Sequence, residues 1–270
     1  MVYNVARCTD GGSGVKMIPV FFRALVVALL CFLSVTARAD EPFVVAVNSN
    51  DRPFCWTNER GELTGFSVDI ARALCRAMGS ECRFVTATFA DFLPGVMEKR
   101  FDFVVANVLR TPEREKMVDF TKRFWRSSSM FVGKPGVARD ISAGSLKGKV
   151  VGVQKGAVQE RYLRERYANV VSVLAYSTNA ERNAALVGGN VDLIFGSTVS
   201  HFAFLSTAEG AGFDFVGGPI DGQGLGGEVA IPLAKGRDDL RKRLNVAIDA
   251  ILNDGTFSRI NNSYFSSSVF

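Results

Sequence analysis

Histidine is nearly missing from this chain of 270 residues: there is one, His201. Cysteine and tryptophan are sparse as well, at five and two. So few imidazoles and thiols argue against a zinc site of nitrogen and sulfur ligands, and no metal or cofactor is expected. They also leave Cys55 without a visible catalytic partner. A buried free thiol is the reading for Cys55 and a structural imidazole for His201. An excess of charge of one sign is lacking too. The formal charge is +5, but Arg7, Lys16, Arg23 and Arg38 against Asp10 lie within residues 1–39, and the remainder carries 28 basic and 26 acidic side chains. That mixture is no electrostatic footprint for nucleic acid. With 47% hydrophobic and 22% charged residues, the composition excludes disordered, collagen-like and coiled-coil chains. The length allows one large domain or two lobes of roughly 100 residues each.

Long apolar runs are absent except for residues 24–35, ALVVALLCFLSV. Arg23 precedes this run and Ala37-Arg38-Ala39 follows it, the order of a secretory signal with small residues at −3 and −1. The expected cut falls after Ala39, which makes residues 1–39 a leader and places the mature protein outside the cytoplasm. A membrane span needs about 20 apolar residues, and Arg23 interrupts the longer stretch. Leu29 and Leu30 before Cys31 do not suit a lipoprotein signal. Residues 1–16 read as a start-site artefact, with Met17 the true start. Cys8 and Cys31 leave with the leader, so Cys55, Cys75 and Cys82 remain in an oxidising compartment where two can pair. Cys75 and Cys82 are close, at the end of one helix and the start of the next strand, and are paired here.

Strand-like and helix-like runs then alternate. Strands are expected at residues 43–47, 83–86, 102–106, 149–153, 170–175 and 191–195, and helices at 67–78, 91–99, 159–167 and 179–187. In the C-terminal helix Leu240, Leu244, Ala247, Ile248 and Ile251 form the stripe, Asp238 or Asp239 caps the start, and Gly255 stops it. Phe257, Ile260, Tyr264 and Phe265 continue as a final short helix. This alternation argues for an α/β fold with parallel sheets. The Gly/Pro/Ser-containing stretch 129–144 separates two such series. The glycines of 217–227 suit a crossing between lobes better than a phosphate loop, since no Lys-Ser/Thr follows.

Several segments together resemble one family. Pro53-Phe54 followed by Gly65-Phe66-Ser67-Val68-Asp69-Ile70, Asp102-Phe103-Val104-Val105 followed by Thr111-Pro112-Glu113-Arg114, Val118-Asp119-Phe120-Thr121, residues 146–156 (LKGKVVGVQKG) and Asp254-Gly255-Thr256 occur in the order found in the family 3 extracellular solute-binding proteins. They run across about 220 residues. The Cys75–Cys82 spacing resembles the disulfide of the basic amino-acid members. The resemblance implies the two-lobed type II periplasmic-binding-protein fold: two parallel-rich sheets joined by two hinge strands, with a ligand in the cleft. Lobe 1 is then residues 40–128 plus 228–270, and lobe 2 is 129–227. Hinge closure buries a small solute, and the closed form is recognised by a membrane partner.

The same resemblance assigns site residues. Arg114 matches the arginine that clasps the ligand α-carboxylate through two parallel charged hydrogen bonds. From charge alone it reads as a surface ion pair with Glu113 or Asp119. Asn107 matches a hydroxyl position that bonds the same carboxylate, Ala106 offers backbone groups there, Phe89 matches a stacking aromatic, and Asn48 and Asp51 face the cleft. Three positions depart from the pattern. Leu109 and Ala157-Val158 replace hydroxyl residues, and Ser197 stands where an acid holds the ligand ammonium. Asp51 or Glu228 is the candidate to replace that charge; otherwise the ligand lacks an ammonium. Arg110 and Lys155 either favour a second carboxylate or are solvated. The expectation is a monomeric periplasmic receptor that captures a small carboxylate-bearing solute for an ABC permease. A cyclohexadienyl dehydratase-like lyase with Glu228 as general acid, and a ligand sensor docking a membrane receptor, are the alternatives.

Overall fold

A computed structural model describes residues 41–265. The leader, its cut after Ala39, Cys8, Cys31 and the choice of start lie outside the described residues. β1 (Phe43–Asn48) leads into a ribbon of β2 (Trp56–Thr57) and β3 (Leu63–Thr64), then α1 (Phe66–Ala77), β4 (Cys82–Ala87), a 3-10 turn at Phe89–Asp91, α2 (Phe92–Met97), β5 (Phe103–Val104), α3 (Pro112–Glu115) and β6 (Asp119–Ser127). The second series is β7 (Ser129–Gly133), α4 (Ala143–Leu146), β8 (Val150–Gln154), α5 (Val158–Arg166), β9 (Ser172–Tyr176), α6 (Asn179–Val187), β10 (Leu193–Ser197), α7 (Thr198–Leu205) and β11 (Asp214–Ile220). The chain then returns through β12 (Gly227–Leu233) to α8 (Asp238–Asn253) and α9 (Thr256–Tyr264).

These strands form two five-stranded sheets, ordered β4-β1-β5-β12-β6 and β11-β7-β10-β8-β9. Strands joined through helices pair in parallel, β1 with β4 and β5, and β8 with β9 and β10. Strands next to the two passages between sheets pair antiparallel, β12 with β5 and β6, and β7 with β10 and β11. Both passages are short. One is Ser128, between β6 and β7, and the other is the turn between β11 and β12.

Residues 129–133 were expected to open a linker and instead form β7, every residue of it buried. The run SMFVG carries three apolar side chains between small ones, and Phe131 stacks on Phe195 of β10 at 4.1 Å between ring centroids. Small end residues let this strand sit inside the sheet; they do not mark a break. The cap of α8 is also corrected. Arg237 holds the N-cap position without a side-chain bond, and Asp238 and Asp239 lie in the first turn, where carboxylates still favour the positive helix end. The Asp238 carboxylate bonds Arg241 instead.

The local reasons are legible in α1. Ile70, Ala71 and Leu74 are fully buried on one face. Gly65 ahead of them has φ 125, and a Cβ there would stand 2.5 Å from the Phe54 carbonyl oxygen; only glycine fits. Cys75 near the helix end bonds Cys82 at the start of β4, so helix and edge strand are pinned covalently. Leu240, Leu244, Ala247, Ile248 and Ile251 of α8 are buried as expected.

Candidate functional site

Loops after the strands carry the polar side chains. Asn48 ends β1, and its amide donates to the Asp51 carboxylate at 2.8 Å. Asp51 is held by a tight turn in which its N–H donates to the Cys55 carbonyl and the Cys55 N–H returns to the Asp51 carbonyl. The Asn179 amide, from the first turn of α6, reaches both Asp51 oxygens at 3.2 Å. Asp51 is buried, and this desolvation raises its carboxyl to about 6 despite the Asn179 bonds and the charge of Arg182. Cys55 behind it is buried and free. Burial and the neighbouring Asp51 charge push that thiol up to about 12, which leaves it inert.

Arg114 sits in α3, where Thr111 caps the helix by accepting the Arg114 N–H and Pro112 takes the first turn. Its side chain is buried. The guanidinium donates to the Leu109 carbonyl at 2.8 Å and, from the other nitrogen, to the Gly156 carbonyl at 3.4 Å. The Phe89 ring centroid lies 5.5 Å from its Cζ. No surface ion pair forms: Glu113 pairs with Arg161 at 3.6 Å, and Asp119 accepts the Gly236 N–H. Burial first, then the Arg161 charge, lowers Arg114 to about 10, so it remains a cation at neutral pH. Asn107 is oriented by Trp125, whose indole donates to its oxygen at 3.0 Å.

One narrow cavity gathers Asn48, Asp51, Phe89, Asn107, Leu109 and Arg114 on the side of the first sheet. Gln154, Ala157, Val158, Gln159, Asn179 and Arg182 face them, joined by Phe195, Gly196, Ser197 and Ser200. About 30 Å3 is open between these walls, room for a water or two. A solute of amino-acid size enters only if the sheets part. Of the expected residues, Ala106 does not line the cavity. It is buried in a core cluster with Ala46 and Val104, and its carbonyl accepts the Val108 N–H. Leu109, which stands where the family pattern has a hydroxyl, contributes its carbonyl to Arg114. The Ser197 hydroxyl sits 2.9 Å from that of Ser127. Glu228, Arg110 and Lys155 are not on the wall either. Glu228 lies 3.7 Å from Arg110, which also bonds Glu115. Asp51 is thus the carboxylate that the cavity contains.

The sequence reading missed Gln154, Gln159, Asn179, Arg182, Phe195, Gly196 and Ser200. Arg182 carried a signal. In α6 the buried positions are Asn179, Arg182, Ala185 and Leu186, so an arginine stands on the apolar stripe of an amphipathic helix.

Two α/β units of this topology, with polar strand-end loops meeting across a cavity, define a type II periplasmic-binding-protein fold. The ancestral arginine-binding protein solved with arginine superposes with TM-score 0.76 at 28% identity, over 85% of this chain and all of that one. The same ancestral type solved with glutamine gives TM-score 0.75 at 29% identity, over 84% and 98%. The family model of bacterial extracellular solute-binding proteins, family 3, matches residues 43–267. The chain belongs to that family. It is 34% identical to the L-arginine-binding protein of Pseudomonas aeruginosa over 238 residues, 87% of this chain and 92% of that protein. It is 28% identical to the histidine-binding periplasmic protein of Salmonella typhimurium over 251 residues, covering 92% and 96%. These relatives are binding proteins, and no helix among the described residues is long and apolar enough to cross a membrane.

Proposed function

We propose that this protein is a periplasmic receptor that captures a small carboxylate-bearing solute, an amino acid or related acid, and delivers it to an ABC permease as a monomer. The observation that carries the reading is Arg114: a buried guanidinium on a cavity wall, held by two backbone carbonyls and by no carboxylate. Such a group is poised to take a planar anion through parallel hydrogen bonds. Asn107 assists it, Phe89 stacks on the solute, and Asp51 faces the ammonium in place of the acid that Ser197 replaces. Asn48, Leu109, Ala157 and Val158 complete the contact surface. Lobe 1 is residues 40–128 plus 228–270 and lobe 2 is 129–227, and they close about the two short passages between the sheets. Residues 1–39 are the signal peptide, cut after Ala39. The relatives named above bind amino acids, which supports the solute class, and Glu228, the general acid named for the lyase alternative, lies beside Arg110 and off the cavity wall.

The test is calorimetric titration of the exported protein, unfolded and refolded to remove carried-over solute, with amino acids, keto acids and prephenate. Binding of one carboxylate-bearing solute per chain, recovered unchanged by NMR, supports the reading. Conversion of the solute overturns it.

A further inference from the structure

Arg182 is the most deeply buried charge on the cavity wall, 1% exposed, and nothing in the receptor reading uses it. Its Nε and Nη2 both donate to the Asn183 side-chain oxygen, at 3.2 and 2.9 Å. A guanidinium has five N–H donors, so the remaining ones, both of those on Nη1 included, have no acceptor among the described residues. Nη1 lies over Gly196, itself part of the wall: a Cβ at Gly196 would stand 2.3 Å from it. Glycine at this position is what admits the guanidinium to the cavity.

No counter-charge answers it. Asp51 is close enough for the two charges to be felt, but no ion pair within 4.0 Å joins them, and both Asp51 oxygens are occupied by the amides of Asn48 and Asn179. His201 shares the space above Gly196, its Nε2 3.0 Å from the same Cβ point. Both its ring nitrogens are buried without partners, and burial together with the Arg182 charge keeps it neutral. The ionisable side chains lining the cavity are therefore Arg114, Arg182 and Asp51, two cations and one carboxylate. A desolvated cation without a partner is costly, and burial is tolerated where an anion completes the site.

We infer that Arg182 is a second anion-binding residue and that the solute carries two acidic groups, one on Arg114 and one on Arg182. The inference rests on the receptor reading and narrows its solute to a small dicarboxylate, with an amino group accommodated at Asp51. A dibasic solute would bring a cation into a wall that already holds an excess of positive charge.

The experiment is titration of the exported, refolded protein with L-glutamate, L-aspartate and 2-oxoglutarate against L-glutamine, L-arginine and L-histidine, in wild type, Arg182→Gln and Arg182→Lys. The expected result is that a diacid binds at least ~10-fold more tightly than glutamine, the neutral isostere of glutamate. Arg182→Gln weakens the diacid about 100-fold and glutamine by less than about threefold, and Arg182→Lys restores part of the loss. Comparison of glutamate with 2-oxoglutarate tells whether the amino group is read. Should Arg182→Gln fail to fold, glutamate against glutamine on wild type decides alone. Preference for arginine, histidine or glutamine over every diacid overturns the inference and leaves the receptor reading standing. No binding of any carboxylate-bearing solute overturns both.

Discussion

The two walls of the cleft are built differently. On the first-sheet side Asp51 and Arg114 are fixed from behind by backbone: a reciprocal turn with Cys55 holds one, and the Leu109 carbonyl and a capped helical turn hold the other. On the second-sheet side the polar groups are mostly amides and a guanidinium carried on helix starts, with Gln159 bonded to the Ser129 hydroxyl and Asn179 reaching across to Asp51. On the proposed reading the first wall is the grip for a carboxylate. On the same reading the second offers the groups that distinguish one carboxylate-bearing solute from another, because Arg182 commits only Nε and one Nη2 bond to the protein. The proposal thus assigns general recognition and particular selectivity to opposite sheets.

The largest effect that would break this contrast is removal of the grip. Arg114→Met should weaken every carboxylate-bearing solute by about a thousandfold, roughly 4 kcal/mol, measured by titration. The unligated variant should not melt lower than wild type, since burial disfavours the charge it loses.

Asp51 sharpens the comparison through pH. Its carboxyl is raised from 3.8 to about 6, so the folded chain binds the proton more readily than the unfolded one. The associated stability is fully present below about pH 4 and is lost as pH rises through about 6, a span of up to ~3 kcal/mol. Asn48, Asn179 and the Arg182 cation face this carboxyl, and Cys55 lies behind it. Denaturant unfolding without solute should show wild type gaining on Asp51→Asn as the pH falls from 7 to 4, with the difference levelling off below pH 4.

Only the first sheet has a covalent brace among the described residues. Cys75 and Cys82 are seven positions apart, and the closed loop constrains the unfolded chain by about 2–3 kcal/mol. Cys75→Ser with Cys82→Ser should lower the denaturation free energy by that amount. Solute affinity should stay unchanged, since neither residue touches the cavity. A smaller effect belongs to the second wall. Gly196→Ala sets a methyl against Arg182 Nη1 and should cost about tenfold in solute affinity, ~1.4 kcal/mol, with little change in melting temperature.

The difference between the walls also governed what could be read from residues alone. Asp51 sits in a short turn after a strand and Arg114 in a single helical turn opened by Thr111-Pro112, each with motif neighbours, so their place after strands was visible in the sequence. The C-terminal stripe from Leu240 to Ile251 was visible through its period. Residues 129–133 were not, because serine and glycine at the ends of a buried strand look like a break. Arg182 and Asn179 were missed for a related reason: a polar side chain in a nine-residue helix reads as solvated surface unless its phase against Ala185 and Leu186 is checked. Ala106 was over-read, since adjacency to Asn107 does not survive a strand-to-loop turn that sends the two in different directions. What sequence cannot carry is the approach of Gly156 to Arg114 and of Asn179 to Asp51, contacts between segments 42 and 128 positions apart.

The most direct test of the account is thermal unfolding of the refolded protein with and without a saturating carboxylate-bearing solute, in wild type and Arg114→Met. A solute at a hundred times its dissociation constant stabilises by about 2.7 kcal/mol, a shift of a few degrees at this size. The account predicts that shift in wild type and its disappearance in Arg114→Met. A shift of equal size in both proteins would contradict it.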